Sequence, residues 1–232
     1  MPNIDSILGR LTGSTIPVLF LDTCILLDIV RSTMRDLGKY AEEATRLLGM
    51  ATGSAPSCLI VISSVVPLEW ARNIDKVTHE VTRNLVQMQR QSAHFHDACG
   101  ALGIGLDFGR ARYEDVELAG ALRILSEKLL EASCKLDADH TTRAGAYERV
   151  INSIPPALKK QEIKDCVLVE EYLDACRALQ SASYQGRLVF CTSNKEDFCL
   201  DSTIHPRLAS EFDEVGLIFK AKLPGALHQL TH

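Results

Sequence analysis

The sequence predicts an α/β fold with a mainly parallel central sheet and a helical insertion, and three observations lead there. Short, uninterrupted apolar runs, PVLFL (17–21), SCLIVIS (57–63), RLVFCT (187–192) and GLIFK (216–220), have the composition of strands buried on both faces. Segments with helical spacing alternate with these runs, which is the pattern of parallel strands joined by helical crossovers. Between the second and third runs lies a long stretch with helical character and no strand signal.

Taken in order, residues 17–21 end at Asp22, and residues 36–50 (DLGKYAEEATRLLGM) place Leu37, Tyr40, Ala44, Leu47 and Leu48 at helical spacing. Pro56 interrupts the chain before the second strand. In SVVPLEWARNI, Pro67 suits the first turn of a helix that carries Glu69 and Trp70. Long helices are predicted over 75–98 and 111–132, separated by the glycine-rich CGALGIGLDFG, and a third over 138–151 ends before Pro155 and Pro156. Residues of about 76–155 therefore read as a helical insertion or cap within a single domain spanning 1–232. QEIKDCVLVEEYLDACRALQ (161–180) predicts another helix, and a short one is expected over 206–213. The tail after residue 220 shows no clear pattern.

Composition narrows the function classes. With 46% hydrophobic and 24% charged residues the 232-residue chain is ordinary for a globular protein. Its net charge of -5 means that the molecule as a whole repels a phosphate backbone, so nucleic-acid binding requires a local basic patch or metal ions. Eight cysteines, none spaced C-x-x-C and most in apolar stretches, suit a reduced, cytoplasmic protein better than a disulfide scaffold or a structural zinc site. The start, with one basic residue ahead of a short apolar run, reads as a short leader before a core strand and not as a signal peptide. Nothing approaches the ~18 consecutive apolar residues of a membrane span.

The acids are the informative residues. Asp22 ends the first strand and Asp197 follows the third, and carboxyl ends of strands line the ligand crevice of open α/β sheets. Asp22 alone would serve equally well as a helix cap. Glu69 lies in a first helical turn, where its charge also complements the helix dipole. Asp165 shares a helical face with Val169, Tyr172 and Cys176, and a carboxylate on a buried face calls for a cation or dense hydrogen bonding. Converging carboxylates supply hard oxygen donors suited to Mg2+ or Mn2+.

The blocks VLFLDTCILLDIV, VVPLEWARN, QEIKDCVLVEEYL and VFCTSNKEDF resemble, in order, those of PIN-domain nucleases, over roughly residues 17–75 and 160–220. The long helical middle resembles the larger PIN-like members. The resemblance implies a Rossmann-like, three-layer α/β/α fold and Mg2+- or Mn2+-dependent hydrolysis of phosphodiester bonds in RNA, leaving a 5′-phosphate and a 3′-hydroxyl. It implies that Asp22, Glu69, Asp165 and Asp197 are catalytic and bind the metal. Asn194 stands where the family commonly has aspartate, and it contributes one neutral oxygen.

Around these acids, Thr23, Thr192 and Ser193 are candidates for orienting carboxylates or holding substrate oxygens, with local turn bonding as the plain alternative. Lys164 and Lys195 are candidates for the phosphates flanking the cut; Lys159 and Lys160 fit a solvated face as well. Arg83, Arg90, Arg110 and Arg112 could guide nucleic acid along the cap. His79, His94 and His96 find no partner set, and Trp70 reads as packing. Expected partners are RNA, with single-stranded DNA, an antitoxin or processing partner and a homodimer also in view. Two rivals remain: a catalytically inactive nucleic-acid or protein-binding module on the same fold, and a phosphatase, against which Asp22-Thr23-Cys24 lacks a second aspartate two residues on.

Overall fold

Every apolar run picked out above contains a strand, buried on both faces in the first three and half-buried after Leu217 in the last. The computed structural model describes residues 4–34, 38–104 and 117–231. Its strands are β1 (Val18–Leu21), β2 (Leu59–Ile62), β3 (Cys134–Lys135), β4 (Leu188–Cys191), β5 (Cys199–Leu200), β6 (Thr203–Ile204) and β7 (Leu217–Lys220). Five of them form one parallel sheet in the order β3-β2-β1-β4-β7, while β5 and β6 make a small antiparallel pair. Val18 to Leu21 pair residue by residue with Leu59 to Ile62 on one side and with Leu188 to Cys191 on the other.

The helices are α1 (Ile4–Leu11), α2 (Thr23–Val30), α3 (Tyr40–Thr52), α4 (Val66–Ala101), α5 (Leu118–Ala132), α6 (His140–Ile151), α7 (Ile163–Ser181), α8 (Lys195–Phe198), α9 (Pro206–Glu214) and α10 (Leu223–Thr231). They lie on both faces of the sheet. Phe190 and Cys191 are successive strand residues and so point to opposite faces. The Tyr172 ring of α7 packs against Phe20 and Phe190, at 4.9 and 5.4 Å between centroids. Tyr40 of α3 lies within electrostatic reach of the Cys191 thiol, on the other face. Among the described residues, no helix is long and apolar enough to cross a membrane.

Three departures from the sequence expectation have physical causes. The block from about 76 to 155 supplies the edge strand β3, which pairs in parallel with β2 although it is only Cys134 and Lys135. In the same block α5 packs against α2 and α3, so it belongs to the body of the fold. The helices expected at Pro67 and at 75–98 are a single helix of 36 residues, α4, because no proline or glycine falls between Leu68 and Cys99 to end it. Both chain ends add helices that the sequence reading did not claim. In α1, Ile4, Ile7 and Leu11 are buried, and in α10 Leu223, Ala226, Leu227 and Leu230 are.

Candidate functional site

Sheet order decides where the side chains meet. From β1 the chain crosses to β2 and β3 on one side, then returns to β4 and β7 on the other, so the carboxyl ends of β1 and β4 flank a switch point. Asp22 leaves β1 there and Thr192 leaves β4. With Leu21 and Cys191 paired, the two strands end in step and the Asp22 N–H donates to the Cys191 carbonyl at 3.1 Å.

Asp22 is buried, 4% exposed. It stands at the N-cap position of α2 but makes no side-chain bond of capping geometry, although the nearby N–H groups of Thr23 and Cys24 favour its charge. Its Oδ2 instead accepts from the Thr192 hydroxyl at 2.6 Å and the Cys24 thiol at 3.0 Å. Burial raises its pKa, and those two bonds work against the rise. The capping alternative therefore gives way to a carboxylate held across the switch point.

Glu69 sits in the first turn of α4, half-buried, and accepts from the Thr23 hydroxyl at 3.0 Å. Asp165 sits in the first turn of α7. Asn194, between β4 and α8, donates through its Nδ2 to Asp197 at 2.9 Å and Asp165 at 3.3 Å. Two carboxylate neighbours require the amide's hydrogens on that side, so the side chain expected to offer an oxygen presents its nitrogen to them. Asp197 is 6% exposed, and its Oδ1 is buried without a hydrogen-bond partner.

Asp165 lies within the fields of the other three acids. Asp165 is pushed up to about 8, first by burial and then by the charges of Asp22, Asp197, Glu69 and Glu162. What holds them in place is neutral: hydroxyls, a thiol and an amide. Among the described residues no lysine or arginine forms an ion pair with any of the four. Among the same residues no group of three or more His, Cys, Asp or Glu side chains is arranged to hold a metal ion as placed. The Asn194 amide nitrogen bridges Asp165 and Asp197 instead.

The donor set is nevertheless of the hard-oxygen type that divalent cations take. The Oδ1 of Asp197 is buried without a hydrogen-bond partner, and the Asp165 carboxyl is raised first by burial and then by neighbouring acids; a cation there would offset both.

Other candidates fall at varied distances from this chemistry. Thr23 and Thr192 are buried and spend their hydroxyls on Glu69 and Asp22. The Ser193 hydroxyl donates to Asp28 at 2.6 Å. Lys164 is half-buried in the first turn of α7, Lys195 is exposed at the start of α8, and Lys159 is exposed. Lys160 pairs with Glu196 at 2.6 Å, which ties the segment before α7 to α8. Trp70 is buried packing, its indole N–H donating to Ser126 at 2.9 Å. His79, His94, Arg83 and Arg90 are exposed along α4 and His96 is half-buried there. Arg110, Arg112 and the second part of the glycine-rich segment, residues 105–109, lie outside the described residues.

Sequence reasoning missed four residues that organise the site. Cys24 and Asp28 on α2 contact the turn after β4. From α7, the Tyr172 hydroxyl donates to the Leu21 carbonyl and accepts from the Ser63 N–H, while Glu171 accepts from the Ser64 N–H at 2.8 Å. Helix α7 thus carries Asp165 and also pins the backbone from which Asp22 and the start of α4 emerge. Asp28, an acid between Leu27 and Ile29, carried the same signal that singled out Asp165.

No model of a known protein family, no curated protein and no solved structure matches this chain.

Proposed function

We propose that this chain is a divalent-metal-dependent nuclease that hydrolyses phosphodiester bonds in RNA, on a Rossmann-like three-layer fold of PIN type. The observation that carries this reading is the raised carboxyl of Asp165, which sits within the fields of Asp22, Asp197 and Glu69 at the carboxyl edge of a parallel sheet. Asp22, Glu69, Asp165 and Asp197 would hold Mg2+ or Mn2+, with the Asn194 amide adjusting to bring Asp165 and Asp197 to it. When bound, the ion neutralises the crowded carboxylates and acidifies a water for attack on phosphorus. The chain's own hydroxyls keep the carboxylates aimed: Thr192 on Asp22 and Thr23 on Glu69. Lys164 and Lys195 flank the acids on α7 and α8 and supply positive charge for the neighbouring phosphates.

A second reading has its own support. The Asn194 amide already satisfies one oxygen each of Asp165 and Asp197 without any cation, as suits a binding module that has lost catalysis.

One titration separates the two. Purified protein is incubated with RNA, single-stranded DNA and a small phosphomonoester in Mn2+, in Mg2+ and in chelator. Metal-dependent RNA cleavage that disappears in both Asp22→Asn and Asp165→Asn, with far-UV spectra unchanged, is the expected result. RNA binding without cleavage would select the inactive module, and hydrolysis of the phosphomonoester alone would select the phosphatase. Full activity in both variants would end the metal-site assignment.

A further inference from the structure

The turn after β4 is tethered to helix α2 at three successive points. Asp22 Oδ2 accepts from the Thr192 hydroxyl at 2.6 Å. The Cys24 sulfur accepts from the Ser193 N–H at 3.0 Å. Asp28 Oδ2, from the next turn of α2, accepts from the Ser193 hydroxyl at 2.6 Å. The residue that follows is Asn194, whose N–H donates to Thr192 Oγ1 at 3.0 Å and whose amide holds Asp165 and Asp197.

Asp28 is the unexpected member. It is 3% exposed in a helix whose other buried residues are Thr23, Ile25, Leu26, Leu27, Ile29 and Val30. A buried carboxylate is costly where an apolar side chain would pack as well. An ion-pair contact with Arg31, at 3.9 Å, is longer than a hydrogen bond, whereas the Ser193 hydroxyl approaches to 2.6 Å.

We infer that Asp28 is a positioning residue for the acidic centre: through the Ser193 hydroxyl it fixes the Thr192–Asn194 turn, on which Asp22, Asp165 and Asp197 all depend. A charged acceptor is stronger and more directional than a neutral one, which suits a turn that must keep an amide aimed at two acids. The identity of the ligand served by this turn rests on the nuclease reading, whereas the tether itself does not.

The test uses the full chain as wild type, Asp28→Leu, Asp28→Asn, Ser193→Ala and the Asp28→Leu/Ser193→Ala double variant. It has two readouts, Mn2+ affinity by calorimetry and amide hydrogen exchange of residues 192–198. Asp28→Leu and Ser193→Ala are each expected to weaken Mn2+ binding by about tenfold and to speed exchange in that segment. The double variant is expected to match either single one, since both remove the same bond. Asp28→Asn, which retains an acceptor oxygen, is expected to stay within about threefold of wild type. Ser193→Ala removes only a hydroxyl, so it decides the matter even if Asp28→Leu fails to fold. Unchanged exchange in Ser193→Ala, or losses that add in the double variant, would overturn the inference. A wild type that binds no Mn2+ would sink the nuclease reading, while the exchange measurements would still confirm or refute the tether.

Discussion

At the scale of single residues, the conflict in the site is concentrated on Asp165. Burial, and then the neighbouring acids, push its carboxyl up to about 8 from 3.8 for the free side chain. Between those values the folded chain keeps a proton that the unfolded chain has released, so folding takes up protons there. Stability of the metal-free protein is therefore expected to fall as pH rises from about 4 to about 8, and to level off above that. Urea midpoints measured in chelator across this range should show the decline, and Asp165→Asn should flatten it. A slope of the opposite sign would mean that the carboxyl is stabilised in its charged form. The four acids were legible in the sequence because each sits at the end of a strand or the start of a helix. Asn194 was legible as a position, whereas the use of its nitrogen was not, since that depends on where two other side chains point. Cys24 reads as an ordinary small apolar residue until its three polar neighbours are known.

Among the elements, α4 divides into two halves with different energetics. Val66, Trp70, Ile74, Val77, Val81 and Leu85 form its buried stripe, and beyond Leu85 only Cys99 is buried. The helix extends about 54 Å at the usual rise per residue, and its far half is largely exposed. Ile74→Ala should cost about 2–5 kcal/mol by opening a cavity. Phe95, which is 56% exposed, should change stability by no more than about 0.5 kcal/mol when replaced by alanine. Paired urea melts would check both, and a comparable loss at Phe95 would reveal a contact that its exposure denies. Strands β1, β2 and β4 were readable because burial on both faces demands continuous apolar residues, and β7 because its apolar run persists at a half-buried edge. Strand β3 was not, because two residues on an edge need no such run. The α10 periodicity of Leu223, Ala226, Leu227 and Leu230 was obscured by Pro224 and Gly225, although proline is well tolerated in a first helical turn.

For the molecule as a whole, Arg149 connects parts that the sheet alone leaves apart. From α6 its guanidinium reaches Glu170 of α7 at 2.5 Å, Glu211 of α9 at 2.6 Å and the Pro155 carbonyl at 2.7 Å. The side chain is only 6% exposed, so removing it strands two carboxylates and a carbonyl in a poorly hydrated place. Arg149→Ala is expected to cost about 3–5 kcal/mol, read from denaturant midpoints, whereas a loss below about 1 kcal/mol would mean that water replaces it. Nothing in the sequence marked this residue, since its partners lie 21 and 62 positions away. The matched termini of β1 and β4 carry a further implication for how this chain can vary. Side chains alternate along a strand, so inserting or deleting a single residue within either would rotate its last position by half a turn. Asp22 would then be driven toward the packed interior, or Thr192 away from it, while the sheet itself still closed. Length changes should accordingly be tolerated in the outer loops and around β5 and β6, and be ruinous by even one residue in these two four-residue strands.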